Sequence, residues 1–370
     1  MTPQDKTPHA LGYRMPAEWE PHSAVWLAWP HDPTSFPRLD QAEAAFAEFV
    51  AEIHTSERVE LLVRDAPMQR KAGQLLEARG TDLSQVNFYR TDYADIWFRD
   101  YGPIFVADRE KQRLAMTKWI FNAWGNKYEE LLKDTRVPYF MNESLGLPLF
   151  EPGIVLEGGS IDVNGRGTLL TTEQCLLSKN RNPGLRKEDI EGFLRDYLGA
   201  THCIWLAAGI EGDDTDGHID DVARFVSPTT VVCATQPDRS DPDHEVLEAN
   251  YQLLLQATDQ DSRPLQVVQL PVPGRVGDQK LRDQQVGDKQ ARLPASYANF
   301  YIGNTKVLVP TFGVENDAKA LGIIQSVFPD RRVIGINAVG LVYGLGTFHC
   351  MSQPQPAVVL PDGTSAIRKA

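Results

Sequence analysis

Hairpin-type turn signals recur along this chain at intervals of roughly 55 to 75 residues, and no other feature constrains the fold as strongly. Predicted strands Pro103 to Ala107 and Leu114 to Trp119 flank a charged turn, and Ser160 to Val163 and Thr168 to Thr172 flank Asn164-Gly165. Val222 to Val226 and Thr230 to Ala234 flank Ser227-Pro228; Asn299 to Ile302 and Lys306 to Val309 flank Gly303-Asn304. Asn-Gly tolerates the positive φ that tight hairpins demand. Helices are predicted downstream over Lys187 to Tyr197, His244 to Thr258 and Ala318 to Val327. At the front of the chain, a strand at Ser23 to Trp29 leads into an amphipathic helix over Gln41 to His54, striped by Ala44, Phe46, Phe49, Val50 and Ile53. A strand at Val59 to Val63, a helix at Met68 to Ala78 and a strand at Val86 to Tyr89 follow. The class is α/β. The pattern fits a repeated ββαβ unit or a mixed sheet with long hairpins, and periodicity alone does not choose between them.

A chain of 370 residues exceeds the usual single core. Length alone suggests two or three domains, although a repeat architecture escapes that expectation because each unit packs on its neighbours. No linker-like stretch separates domains; Pro271 to Pro294 is the least regular segment and reads as a long surface loop. The net charge of −13 disfavours nucleic acid and anionic membranes and suits a cationic ligand. No run approaches the ~20 apolar residues of a membrane span, and Met1 to Tyr13 holds no apolar stretch of signal-peptide length, so a cytoplasmic setting is expected. Cys175, Cys203, Cys233 and Cys350 form no CxxC pair, and no HExxH accompanies them. Reduced thiols without a structural metal are expected. Cys175, Cys203 and Cys233 lie in or beside apolar runs and read as core.

Four segments are chemically unusual. Asp95-Ile96-Trp97-Phe98-Arg99-Asp100-Tyr101-Gly102-Pro103 packs charge and aromatics against a Gly-Pro stop, as a strand end turning into a loop would. A surface turn with an Arg-Asp pair reads equally well. Glu157-Gly158-Gly159-Ser160 sets two glycines after a carboxylate, which permits close backbone approach of a ligand or makes a plain turn. Gly212 to Asp221 holds five aspartates within nine residues, at the wrong spacing for a calcium loop. If that segment is extended, His218 and Asp220 share a face. It also reads as a solvated acidic loop. In the last segment Cys350 follows a glycine-rich turn, Gly344-Leu345-Gly346, as a nucleophile at a cleft rim would; a lone cysteine is also common in cores.

Together these segments suit a guanidinium, which is planar, cationic and resistant to water. Attack on it needs carboxylates for its N–H groups, a soft nucleophile and a proton carrier. Asp100, Glu157 and Asp220 can supply the first, Cys350 the second and His218 the third.

At these segments the chain resembles the agmatine deiminases of the bacterial-type peptidylarginine deiminase family, within the guanidino-modifying (pentein) superfamily. The resemblance extends through Met15-Pro16-Ala17-Glu18-Trp19-Glu20-Pro21-His22, Trp26-Leu27-Ala28-Trp29-Pro30, Phe121-Asn122-Ala123-Trp124-Gly125, Leu293-Pro294-Ala295-Ser296-Tyr297-Ala298-Asn299-Phe300-Tyr301 and His349-Cys350. It implies one domain over residues 1–370, a pseudo-fivefold α/β propeller of ββαβ units around a central site. It implies hydrolysis of agmatine to N-carbamoylputrescine and ammonia through a covalent Cys350 adduct, with no cofactor and no metal. His218 then resembles the general acid/base, Asp100 and Asp220 the guanidinium clamps, and Glu157 a further catalytic carboxylate. Trp97 and Trp124 would pack on the alkyl chain and Asp214 would take the distal amine. Leu345 interrupts the family's glycine run, Ser352-Gln353-Pro354 replaces its usual Thr-Gln-Gln, and Asn126 stands where a second glycine is common. The alternatives are a deiminase of arginine or peptidyl arginine, with Arg99 or the loop near Arg282 as carboxylate partner, and a non-catalytic guanidine-binding protein. A homo-oligomer stays open.

Overall fold

The computed structural model describes residues 6–278 and 292–358. Among them the strands form five small mixed sheets, four of three strands and one of four. Strands β1 (His22–Ala28), β2 (Arg58–Val63) and β3 (Val86–Arg90) run parallel in adjacent pairs. Helices Leu39–Ile53 and Ala66–Glu77 make the two crossovers. Four further units follow the ββαβ pattern. They comprise β4 (Ile104–Asp108), β5 (Arg113–Thr117) and β6 (Leu149–Phe150); β7 (Asp162–Val163), β8 (Thr168–Thr172) and β9 (His202–Leu206); β10 (Ala223–Ser227), β11 (Thr230–Thr235) and β12 (Gln266–Pro271); and β13 (Tyr301–Ile302), β14 (Lys306–Thr311) and β15 (Arg332–Asn337). In each, the first two strands pair as an antiparallel hairpin and the third lies parallel to the second. Helices Val137–Leu145, Lys187–Leu198, His244–Gln256 and Asn316–Val327 supply the crossovers that parallel pairing requires. The recurring turns therefore mark repeated units, not one large sheet.

The second strand of each unit has a partner on both edges and is largely buried. Thr168–Thr172 is buried throughout, and Leu61, Leu62 and Val63 have no exposed surface. Local signals fix the helices. Asp65 caps Ala66–Glu77 by accepting from Met68 N at 2.8 Å, and Gly199 closes Lys187–Leu198 at φ +74°.

The chain ends meet in the four-stranded sheet. Strand β16 (Gln353–Pro356) pairs antiparallel with β1, giving that sheet the first strand that its N-terminal part lacks. Trp26 Nε1 donates to Gln355 Oε1 across this pair at 2.8 Å, with both residues buried. Two expectations are corrected. Phe98–Tyr101 is a helical turn, where a strand end was expected, and Ile219–Asp221 is a 3-10 turn, not an extended segment. Of the expected loop from Pro271 to Pro294, residues 279–291 lie outside the described residues. Its far flank is anchored: Arg292 binds Asp243 at 2.8 Å.

Gln355→Leu is expected to destabilise the fold by about 1–3 kcal/mol, since it leaves the buried Trp26 N–H without an acceptor. Urea unfolding of the variant against the wild type measures this.

Candidate active site

A cleft of about 280 Å³ is walled by Trp97, Trp124 and Tyr128, with Asp32, Asp95, Glu130 and Asp214 among its other lining residues. Asp100 and Cys350 also line it. His218, Glu157 and Asp220 lie close to them, with no exposed surface of their own.

The turns seen in sequence exist to bring these groups close. Trp97 caps the short Phe98–Tyr101 helix, which presents Asp100 inward. Asp100 accepts from Trp124 Nε1 at 2.9 Å through one oxygen and from Gly159 N at 3.0 Å through the other. Gly159 must be glycine for space: a Cβ there would lie 2.5 Å from His218 Nδ1 and 2.9 Å from Asp100 Oδ1. The same applies across the cleft, where a Cβ on Gly346 would meet the Trp97 ring at 2.6 Å.

Cys350 Sγ receives Asn299 Nδ2 at 3.0 Å and donates to Asp220 Oδ2 at 3.5 Å. Asp220 Oδ2 also meets His349 Nδ1 at 2.7 Å, and His349 Nε2 meets Glu18 Oε2 at 2.8 Å. His349 is thus clasped between two carboxylates. His218 Nδ1 is 3.8 Å from Asp100 Oδ1, and neither ring nitrogen has a hydrogen-bond partner. Asp220 Oδ1 and Glu157 Oε2 are likewise unpartnered. Several buried polar atoms without a protein partner therefore gather at one place, open to water or to a ligand.

Electrostatics follow from burial among like charges. Burial, then Asp220 and Glu157, push the Asp100 carboxyl well above the usual carboxylate range. Burial and the neighbouring Asp220, Asp221 and Asp100 raise the Cys350 thiol, against a weaker opposing pull from Asn299. Burial lowers His218 to about 3, more than Asp220 can offset. Burial would raise Asp220, but the His349 hydrogen bond and charge outweigh it and hold the carboxylate below its usual value. At neutral pH the site rests with a thiol and a neutral imidazole.

The expected residues Cys350, His218, Asp100, Glu157 and Asp220 all come together, with Trp97, Trp124 and Asp214 on the cleft wall. Asp214 is already engaged, by the Tyr128 hydroxyl and by Lys127 at 3.4 Å. Arg99 turns away from the cleft toward Glu18, at 3.3 Å, and the His349 carbonyl. Arg282 lies outside the described residues. Cys175 is buried as expected, but it is not remote: its sulfur, Glu157 and His218 place donor atoms within 4.8 Å of one another. Asp220, Asp221 and Cys350 form a second such trio. Either set has the spacing of metal ligands, and each is partly engaged: Arg181 binds Glu157 Oε1, His349 binds Asp220 Oδ2 and Asn299 binds Asp221. The rest of the aspartate cluster has structural work. Asp213 accepts from Thr215 N and Gly217 N at 2.8 Å and from His218 N at 3.1 Å.

Sequence reasoning assigned no part to Glu18, Asn299 or Arg181. Glu18 and Asn299 lay inside stretches quoted only for resemblance, and Arg181 in Lys179-Asn180-Arg181-Asn182 carries no motif. The two departures at glycine positions have a backbone reading: Leu345 sits at φ +72° and Asn126 at φ +62°, both in the region that favours glycine.

In the free protein the His218 ring should stay neutral through the ordinary histidine range and charge only near pH 3. Histidine ring proton shifts in an NMR pH titration check this; a midpoint close to 6.5 would contradict it.

Comparison with known proteins places this geometry in context. The Porphyromonas-type peptidyl-arginine deiminase family matches residues 14–356. An agmatine deiminase of Stutzerimonas stutzeri (strain A1501) is 38% identical over 371 residues, covering 96% of this chain and 99% of the relative. One from Medicago truncatula is 36% identical over 377 residues, covering 96% and 99%. The solved agmatine deiminase of Enterococcus faecalis matches with a TM-score of 0.85 at 34% identity, covering 95% of this chain and 97% of that one. The chain belongs to the Porphyromonas-type peptidyl-arginine deiminase family.

Proposed function

We propose that this protein is an agmatine deiminase, hydrolysing agmatine to N-carbamoylputrescine and ammonia. The observation that carries this reading is the convergence of Cys350, His218, Asp100, Glu157 and Asp220 at a cleft whose lining, among the described residues, contains no lysine or arginine. In this reading Asp100 and Asp220 grip the guanidinium N–H groups, with Glu157 Oε2 available beside His218. The incoming cation offsets the negative charge that keeps Cys350 protonated. Cys350 Sγ then attacks the guanidinium carbon, its proton passes by way of His218 to the departing nitrogen, and ammonia leaves. The product is a thiouronium on Cys350. His218, neutral again, takes a proton from water as that water attacks the same carbon. Collapse breaks the C–S bond and frees the ureido product; the proton of the added hydroxyl restores the thiol, and His218 passes the proton it took from water to solvent.

Among the described residues, acids and aromatics line the cleft mouth and no cation does. Arginine would bring a carboxylate to the cleft mouth, among Asp32, Asp95, Glu130 and Asp214. Arg99 faces away, and Lys127 is spent on Asp214 and Asp216, the latter at 2.8 Å. A distal amine meets acids instead, sharing Asp214 with Tyr128 and Lys127 and facing Asp32, Asp95 and Glu130, with the rings of Trp97 and Trp124 along the alkyl chain. We further read the five sheets as the blades of one pentein propeller, supported by the shared ββαβ connectivity and by the β1–β16 pairing of the chain ends. A cytoplasmic setting accords with four cysteines that are all free and with the absence, among the described residues, of any helix long and apolar enough to cross a membrane.

Cys350→Ala should show no turnover while circular dichroism reports an intact fold. Cys203→Ser, at the edge of a separate apolar cluster, is the control and should keep the wild-type rate. Cys175 is unsuitable as a control because it touches the site. Wild-type turnover in Cys350→Ala would remove the covalent mechanism.

Agmatine should be strongly preferred over arginine. A carboxylate about 4 Å from an aspartate is repelled by about 4 kcal/mol at an effective dielectric near 20, up to roughly a thousandfold before screening. Comparing kcat/KM for both at one pH and ionic strength measures it. Arginine as the better substrate would overturn the substrate assignment and leave the deiminase chemistry standing.

A further inference from the structure

Glu157 is fully buried beside Asp100, His218, Cys175 and the charge of Asp216. One side chain keeps it in place. Arg181 Nε donates to Glu157 Oε1 at 2.8 Å, and neither side chain is exposed. The other guanidinium nitrogens bind Asn180 Oδ1 and Asp216 Oδ2, each at 2.8 Å, and the Thr215 carbonyl at 2.7 Å. The Thr215–Asp216 segment leads directly into His218. Asn180 in turn accepts from Asn122 Nδ2 through its carbonyl at 2.9 Å, and Asn122 begins the turn that carries Trp124. A Cβ on Gly125 in that turn would lie 2.8 Å from Arg181 Nη1. The fork geometry of arginine suits this arrangement, and a lysine could not reproduce it.

We propose that Arg181 is a positioning residue for the reaction: it holds Glu157 by one oxygen, leaves the other free toward His218 and the guanidinium, and locks the segment that presents His218. This rests on the deiminase reading above. It touches no reacting atom itself. Its charge also decides when Glu157 is ionised. Burial raises the Glu157 carboxyl and the Arg181 charge opposes that rise, so removing the charge moves the carboxyl further up. The ionised form is then lost at higher pH as the solution is acidified.

The test compares wild type, Arg181→Met and Arg181→Lys by kcat, KM and the pH profile of kcat/KM. Ammonia release by the wild type from agmatine, arginine and a peptidyl arginine is measured first and judges the substrate reading alone. The variants are then compared on whichever compound the wild type hydrolyses fastest. Arg181→Met should lose on the order of 100-fold in kcat/KM at neutral pH, with its acid limb shifted to higher pH. Arg181→Lys should recover part of both, since it restores the charge without the fork. A folded Arg181→Met whose limb superposes on that of the wild type would overturn the proposal, whatever its rate. If Arg181→Met does not fold, Arg181→Gln takes its place on the same criterion: a raised limb supports the proposal and an unmoved one overturns it.

Discussion

The constraint on which the rest depends is the crowding of buried carboxylates at the floor of one cleft. Asp100, Glu157, Asp220 and Asp221 are all buried around Cys350 and His218. Two such charges about 4 Å apart repel by about 4 kcal/mol even at an effective dielectric near 20. The chain answers from behind. Arg181 binds Glu157, His349 binds Asp220, and Arg99 and Arg224 bind Glu18, which supports His349 on its other side. Arg224 is itself fully buried and donates to the Ala298 and Phe300 carbonyls at 3.2 and 3.0 Å, next to Asn299. The cations stand behind the carboxylates, so the cleft side remains short of positive charge. A planar cation entering from that side meets vacant acceptors.

The site was legible in sequence to the extent that its groups sit in short, compositionally odd segments. Asp100, Glu157, His218, Asp220 and Cys350 each stand beside glycines or aromatics that a plain strand or helix would not need. The supporting cations were not legible, because a buried Arg181 or Arg224 looks like any surface arginine until its partners are known. His349 was visible only as the neighbour of the cysteine, and its clasp between Glu18 and Asp220 joins residues 331 and 129 positions away. The fold was legible in its hairpins and longer helices and illegible in its closing strands. Strand β16 carries Pro354 and Pro356, which read as strand breakers, and it is tolerated as an edge strand with a single partner. Helix Val137–Leu145 was missed because Pro138 suggests a break, whereas proline in the first turn needs no N–H partner.

Backbone strain gathers at the same place. Ala123, Trp124 and Asn126 have φ of +51°, +53° and +62°, Asp216 has +64° and Leu345 has +72°. Non-glycine residues in this region cost on the order of 1–3 kcal/mol each and persist where the surroundings over-determine them. The surroundings do so here. Trp124 is held through its indole on Asp100, and Asp216 is gripped by Arg181, Asn180 and Lys127. The strain bends the chain so that an aromatic wall and an acidic rim face one cleft.

The resting protonation states then take on a purpose. A thiolate beside Asp220, Asp221 and Asp100 would add a further negative charge to a crowded site, so the sulfur keeps its proton and the cysteine stays unreactive toward adventitious electrophiles. A charged His218 would be desolvated without a hydrogen-bond acceptor, so it stays neutral and able to take a proton. In the proposed mechanism the imidazole is already in the form that accepts a proton, whereas the thiol waits for an arriving cation. The cation lowers the cost of a thiolate, and the proton released has an unprotonated imidazole close by. A neutral amide or ureido compound of the same shape brings no charge and leaves the thiol protonated. In the proposed mechanism the same field governs release: the ureido product carries no guanidinium charge, so Asp100 and Asp220 no longer retain it.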